Sequence, residues 1–166
     1  MAIFSPIGPA LGVDLNNQSA TALFALGTHV YGNQDTEWIY LQANSSISAR
    51  TMIAFTALGS AGMASGADLL AGSQLATAQT TVSVSSFFWA AIRGIGLTVL
   101  TTGSCTSVAQ VISVAASAVP TGVLSNVASG SGTLAGVSFT DTTNQTATST
   151  YTVCTLSWPR GAGPGL

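Results

Sequence analysis

Charged side chains are scarce in this chain of 166 residues, of which only 5% are Asp, Glu, Lys or Arg. The basic residues are Arg50, Arg93 and Arg160, and the sequence contains no lysine. Because each phosphate contact needs its own cation, three arginines neutralise too few phosphates for an ordinary nucleic-acid-binding surface. We therefore expect no nucleic-acid partner.

The low charge also bears on what the surface can do. Soluble domains usually carry about a quarter charged residues, whereas 47% of this chain is hydrophobic and its mean hydropathy is +0.52. Interspersed surface charge normally keeps a protein soluble and separate from other molecules. A surface poor in charge is better suited to contact, so we expect other subunits to cover much of it.

Cysteine is equally rare, with only Cys105 and Cys154 present. Two cysteines are too few for a disulfide-stapled scaffold, and their spacing fits no zinc motif, so we expect buried free thiols and no metal. The glycine-rich residues 130–136 have one residue too many for the dinucleotide fingerprint and open onto a strand where that motif needs a helix. We therefore expect no cofactor.

Long uninterrupted apolar runs are missing as well. The best candidate for a membrane span, residues 108–128, is uncharged but includes Gln110, Pro120 and Asn126. These residues are unusually polar for about 20 residues that must cross hydrocarbon. The first residues also lack the basic region of a secretory signal. We expect no membrane association.

From Glu37 onward, short β-prone segments alternate with turn residues, which predicts a mainly β chain. Residues 38–41 are apolar or aromatic throughout, as in a strand that is covered on both faces. Residues 81–85 alternate strictly, which places both of their valines inward. The same rule places the three branched residues of segment 95–99 on one face. Residues 67–71 are rich in alanine and leucine, and a short helix is predicted there.

The end of the chain carries the clearest pattern. Residues 135–139 alternate between apolar and small or polar side chains, and residues 141–149 are polar apart from one alanine. An extended pattern then resumes at residues 151–158 and ends at Pro159. This order predicts an antiparallel hairpin with a long polar loop.

The chain divides into three parts on this evidence: an extended N-terminal arm (residues 1–26), a β domain (residues 27–159) and a short flexible C-terminal tail (residues 160–166). Residues 1–18 mix Pro, Gly and Asn with apolar residues that follow no regular period, which favours an arm that binds a partner. A frayed terminus or an edge strand is the alternative. The apolar residues that we assign to partner binding are Ile3, Phe4, Ile7, Leu11, Val13 and Leu15.

Residues for catalysis are few. His29 is the only histidine, and its turn-like surroundings favour a structural hydrogen bond over proton transfer. The five acids are scattered, and no Gly-x-Ser-x-Gly motif occurs. We therefore expect no enzymatic activity; a hydrolase built around His29 is the enzymatic alternative.

A set of short segments occurs in a fixed order along the chain. They are residues 27–32, 37–43, 46–49, 88–94, 104–105, 120–124, 135–139 and 156–159. Taken in this order, the segments resemble the head decoration (cement) proteins of tailed bacteriophages. The resemblance covers residues 27–159, while residues 57–80 depart from the pattern.

The resemblance implies a compact β-barrel or β-tulip domain on the outer surface of a phage capsid. Its partners would be the major capsid protein, whose lattice it stabilises, and further copies of itself in a homotrimer. Assembly would take place in the bacterial cytoplasm, where thiols stay reduced.

The alternative function is a tail or fibre module that binds a host receptor or glycan on the virion surface. Such a module needs an aromatic residue in a concave surface. The candidates are Trp38, Trp89 and Trp158.

Overall fold

The computed structural model describes residues 13–102, 113–114, 122–125, 134–139 and 150–161. Within these residues, 11 strands pair into one sheet that is accompanied by one short helix, so the prediction of a mainly β chain is confirmed. In chain order the elements are β1 (Gln18–Ser19), β2 (His29–Tyr31), β3 (Glu37–Ala43), β4 (Thr51–Phe55), β5 (Ser60–Met63), α1 (Gly66–Leu70), β6 (Gln74–Ala78), β7 (Phe87–Thr102), β8 (Ser113–Val114), β9 (Leu124–Ser125), β10 (Leu134–Phe139) and β11 (Thr150–Gly161).

Five of the strands close into a ring-like arrangement. β3 pairs antiparallel with β7 and parallel with β5, and β4 pairs antiparallel with both β5 and β6. A pairing of Thr77 with Ala91 joins β6 to β7 and completes the circuit. The junctions β3–β5 and β6–β7 consist of only two residue pairs and one residue pair. The ring is therefore loosely closed and does not form a regular barrel.

Alternation along the strands gives the ring an inner and an outer apolar cluster. In β3, Ile39 and Leu41 belong to the inner cluster, while Trp38 and Tyr40 belong to the outer one. All four side chains are buried, as the apolar run at residues 38–41 predicts. The run is continuous because both faces of β3 are covered.

The C-terminal hairpin is confirmed. β10 and β11 pair antiparallel, and β11 also pairs along the second half of β7. β11 continues to Gly161, so Arg160 and Gly161 belong to a strand and not to the predicted tail. The rest of that tail and the polar loop at residues 141–149 lie outside the described residues.

The beginning of the described chain packs onto the β domain. β1 pairs with β7, and the ring of Phe24 contacts the rings of Tyr40 and Trp89 at centroid distances of 5.4 and 5.3 Å. The backbone N–H of Leu23 donates to the hydroxyl of Tyr40 at 3.1 Å. The folded unit therefore begins before the predicted boundary at residue 27, because these residues cover the outer aromatic cluster.

The predicted strand at residues 81–85 is not formed. Only Val82 makes a backbone bridge, to Ile47, and its side chain is buried, whereas Val84 is 54% exposed. The chain turns at Ser85, which has a φ of +64°. Strict alternation fails here because the segment is too short and too curved to pair along its length.

The predicted common face of residues 95–99 is also wrong in part. Leu97 and Val99 are buried, but Ile95 is exposed. Its neighbours Gly94 and Gly96 have φ values of +141° and +77°, which an L side chain rarely adopts. The register with β11 shifts in the same region, so the side-chain alternation restarts after the glycines.

The short helix predicted at residues 67–71 is confirmed as α1. Ser65 caps its N-terminus: the Ser65 side chain accepts from the N–H of Asp68, and the Asp68 carboxylate accepts from the N–H of Ser65. This reciprocal capping box satisfies two N–H groups that a helix of this length would otherwise leave unpaired. In the part of the chain described, no helix is long and apolar enough to cross a membrane.

Candidate functional site

A cleft of about 620 Å³ lies where β10 and β11 meet the start of β3 and the end of β4. Its floor includes Ile39, Phe55 and Ile92, which pack in or against the inner cluster of the ring. Its rim is polar. The cleft therefore leads from solvent to the inner cluster. The residues that line it are His29, Ile39, Phe55, Gln74, Leu75, Ile92, Ala135, Gly136, Ser157, Trp158, Pro159 and Arg160.

A β-bulge between β10 and β11 positions Trp158 at the cleft. Ala135 pairs with Arg160 and Val137 with Leu156, so three residues of β11 stand opposite the single residue Gly136. A Cβ at Gly136 would lie 2.4 Å from the carbonyl oxygen of Ser157, so only glycine fits there. Trp158 itself has a φ of +50°. A bulky residue in this conformation is held by the surrounding structure.

The imidazole of His29 forms the facing wall. Its Nδ1 lies 2.8 Å from Oε1 of Glu37, and its ring stacks on Trp158 at a centroid distance of 5.9 Å. Because Nδ1 is engaged by Glu37, Nε2 is the nitrogen available to a ligand. The structural hydrogen bond predicted for His29 is therefore confirmed, with the buried Glu37 as its partner.

Arg160 is the one permanently charged residue of the cleft lining. Arg93 pairs with Asp35, and the guanidinium of Arg50 lies 4.4 Å from the ring centroid of Tyr151. Within the described residues, Arg160 has no ion pair and its side chain is exposed. The exposed charge of the cleft is therefore positive.

The three tryptophans differ sharply in exposure. Trp38 and Trp89 are buried in the outer cluster, while Trp158 is 52% exposed. Of the candidates for an aromatic binding surface, the structure thus places Trp158 alone in a concave, accessible position. Sequence reasoning did not single it out; the signal that could have done so is Gly136 within an alternating strand, because such a glycine often marks a bulge.

The predicted partner-binding residues fall into two groups. Val13 and Leu15 are buried in the chain's own outer cluster, so their side chains do not face a partner in this structure. Their burial follows from the packing of residues 13–24 over the aromatic face of the sheet. The remaining four, Ile3, Phe4, Ile7 and Leu11, lie outside the described residues, and their role stays a prediction.

A second surface of interest is apolar. Leu23, Leu26 and Leu58 have exposed fractions of 67%, 40% and 85%. Leu26 contacts the turn that carries Leu58, because a Cβ at Gly59 would lie 2.7 Å from the Cβ of Leu26. We call Leu26 and Leu58 the leucine patch; Leu23 is a separate exposed leucine. The patch faces solvent beside the end of β3.

Cys154 belongs to the outer cluster, where it is a buried free thiol. Burial raises the pKa of the Cys154 thiol to about 12, because the thiolate would lose its hydration. A thiol with so high a pKa is a poor nucleophile at neutral pH. Cys105 lies outside the described residues.

The hydrogen bonds of His29 and the grouping of acids bear on the enzymatic and metal-binding alternatives. No serine or threonine hydroxyl in the described chain is hydrogen-bonded to His29, whose side-chain partner is Glu37. In the same residues there is no group of three His, Cys, Asp or Glu side chains placed to hold a metal ion. What the cleft offers is an aromatic surface, an imidazole and a guanidinium.

Several segments that carry the resemblance to decoration proteins form paired strands of this fold. Residues 37–43 are β3, residues 88–94 lie in β7 and residues 135–139 lie in β10. Comparisons with protein-family models, with curated proteins and with solved structures give no match for this chain.

Proposed function

We propose that this chain is a structural protein of a phage virion that binds the outer face of the capsid and stabilises the lattice of the major capsid protein. The leucine patch is the observation that carries the proposal. Leu26 and Leu58 expose large aliphatic side chains on neighbouring segments, and exposed apolar patches mark sites of protein contact. The resemblance of the ordered segments to decoration proteins supports the major capsid protein as the partner.

The charge distribution supports contact through apolar surface. The two exposed charges of the Arg93–Asp35 pair already satisfy each other, and exposed pairs of this kind contribute only about 0–1 kcal/mol. Apolar burial supplies about 25 cal/mol per Å² before the costs of docking. A patch of two leucines is small, so one copy would bind weakly. Several linked copies would bind tightly, because each further contact becomes intramolecular.

The test is co-sedimentation of the purified chain with capsids assembled from the major capsid protein of the same virus. The wild-type chain is expected to pellet with capsids at a saturable ratio, and cryo-electron microscopy is expected to locate it on the outer surface. Leu58→Ser should weaken binding about tenfold or more, because avidity multiplies a small loss per site.

Ile95→Ser is the matched control. Ile95 is also an exposed aliphatic residue. It lies in β7 two residues after Arg93, whose backbone is opposite that of Glu37 at the other end of the β3–β7 pairing from the patch. The Ile95→Ser variant should bind capsids as tightly as the wild-type chain does. No capsid binding by the wild-type chain, or equal loss in both variants, would contradict the proposal.

A further inference from the structure

We propose that the cleft at Trp158 binds an acidic saccharide, a sugar ring that carries a carboxylate. The inference goes beyond capsid binding, since it concerns a different surface and a small ligand. It rests on the shape of the cleft, on the exposed indole and on the charge of Arg160.

The size and lining of the cleft suit a small polar ring. Its volume of about 620 Å³ lies within the range of about 300–1,000 Å³ that is typical of small-molecule sites. The floor is apolar and the rim is polar, so a ligand with an apolar face and a hydroxyl edge is complementary to it. A sugar ring has both: C–H groups on its faces and hydroxyls around its edge.

The indole of Trp158 provides a flat surface for such a face. One side of the indole stacks on His29, and about half of the side chain stays exposed to solvent. The bulge opposite Gly136 fixes the backbone, so the ring is held before any ligand arrives. Preorganised aromatic surfaces bind at low entropic cost.

The polar groups at the rim are mostly neutral. Gln74 and Ser157 have no side-chain hydrogen-bond partner within the described residues, and both are exposed. His29 adds Nε2, because Nδ1 is engaged by Glu37. An amide, a hydroxyl and an imidazole match hydroxyl groups, each of which both donates and accepts.

Arg160 favours a ligand that carries a negative charge. Its guanidinium is the only permanent charge in the lining and has no carboxylate partner among the described residues. A planar guanidinium binds a carboxylate through two parallel hydrogen bonds. The carboxylate of Glu37 is buried and bonded to His29, so it does not supply this partner.

The test is a titration of the ¹⁵N-labelled full chain, followed by NMR at the indole N–H signals. Three probes separate the contributions: methyl β-D-glucuronide, its neutral analogue methyl β-D-glucoside, and cyclohexanecarboxylate, which has the charge and ring but no hydroxyls. The glucuronide is expected to shift the Trp158 signal and to bind about fivefold more tightly than the glucoside. Cyclohexanecarboxylate should bind more weakly than either sugar.

Variants assign the residues. Trp158→Ala should abolish binding and Trp158→Phe, which keeps an aromatic ring, should retain part of it. Tyr31→Ala is the matched control, since Tyr31 is an exposed aromatic outside the cleft lining. Arg160→Gln should reduce glucuronide binding to the level of the glucoside, while Arg93→Gln should leave it unchanged.

Three results would overturn the inference. They are the absence of any shift up to the solubility limit of the sugars, binding that survives Trp158→Ala in a folded variant, and cyclohexanecarboxylate binding as tightly as the glucuronide. Equal affinity for glucuronide and glucoside would overturn the role of Arg160.

Discussion

The two apolar clusters of the sheet are built from different kinds of side chain. Five of the twelve buried residues of the inner cluster are alanines, at positions 43, 61, 76, 78 and 90, and none is Trp or Tyr. The outer cluster contains Trp38, Tyr40 and Trp89 and is covered by residues 13–24. A narrow ring leaves little room inside, whereas the outer face is open and needs large side chains and extra chain to cover it. We therefore expect the inner cluster to be sensitive to added side-chain volume and the outer cluster to be sensitive to the loss of large side chains.

The largest expected effect comes from emptying the outer cluster. Trp89→Ala should lower the free energy of unfolding by about 3–5 kcal/mol, because it removes a buried aromatic side chain and leaves a cavity. Trp158→Ala, at an exposed tryptophan, should change it by less than about 1 kcal/mol. Urea unfolding measures both. Similar losses in the two variants would show that the outer cluster is not a packed core.

The inner cluster should respond to added volume. Ala76→Leu is expected to destabilise the fold by about 1–3 kcal/mol, since a larger side chain is introduced at a fully buried position of the inner cluster. Ala20→Leu is the control, because Ala20 is exposed. The same urea experiment applies. A neutral or stabilising Ala76→Leu would mean that the ring interior contains unfilled space.

Alkaline pH tests the burial of Cys154 in the outer cluster. Its thiol has a pKa of about 12 in the folded chain against a reference value of 9.0. Below pH 9 the thiol is neutral in both states. Between pH 9 and 12 the Cys154 thiol ionises only in the unfolded chain, which favours unfolding. The free energy of unfolding therefore falls as the pH rises through this range.

At pH 10 the loss is on the order of 1 kcal/mol. The wild-type unfolding free energy should therefore fall more steeply above pH 9 than that of Cys154→Ala, which lacks the group. Other residues that titrate, including Cys105, are common to both chains and cancel in the difference. Parallel curves would indicate that the thiol is accessible to water.

The smallest expected effect is that of salt on self-association. We expect a trimer that is held by apolar and hydroxyl contacts. Ionic strength screens charges but leaves apolar burial intact or slightly stronger. Light scattering across a salt series should give one constant mass near three subunits. A monomer at low micromolar concentration, or dissociation at high salt, would contradict the prediction.

Sequence patterns predict those elements whose structure depends on neighbouring residues of the chain. The buried run in β3 and the hairpin of β10 and β11 follow from side-chain periodicity, and α1 from local composition. Errors appear where an unusual backbone conformation or a distant residue decides the outcome. Ile95 faces solvent because its neighbours Gly94 and Gly96 have positive φ values. Val13 and Leu15 are buried because they cover an aromatic face some distance along the chain.

The cleft illustrates the same limit. Its lining comes from β2, β3, β4, β6, β7, β10 and β11, so no continuous segment of sequence contains its pattern. His29 stands out in the sequence because it is unique, but its link to Trp158 depends on a bulge between two other strands. Arg160 belongs to the predicted tail by composition, and its pairing with Ala135 and with Gln74 brings it into the site.

The central position of β7 has a consequence for synthesis of the chain. β7 is bonded to β1, β3, β6, β9 and β11, and β11 comes last of these. A ribosome-bound chain that has not yet reached residue 150 carries the second half of β7 without its β11 partner, and an unpaired strand edge invites pairing with other chains. Contacts of such long sequence separation also form slowly. Newly made chains therefore pass through an interval of exposure to aggregation that ends when β11 pairs with β7.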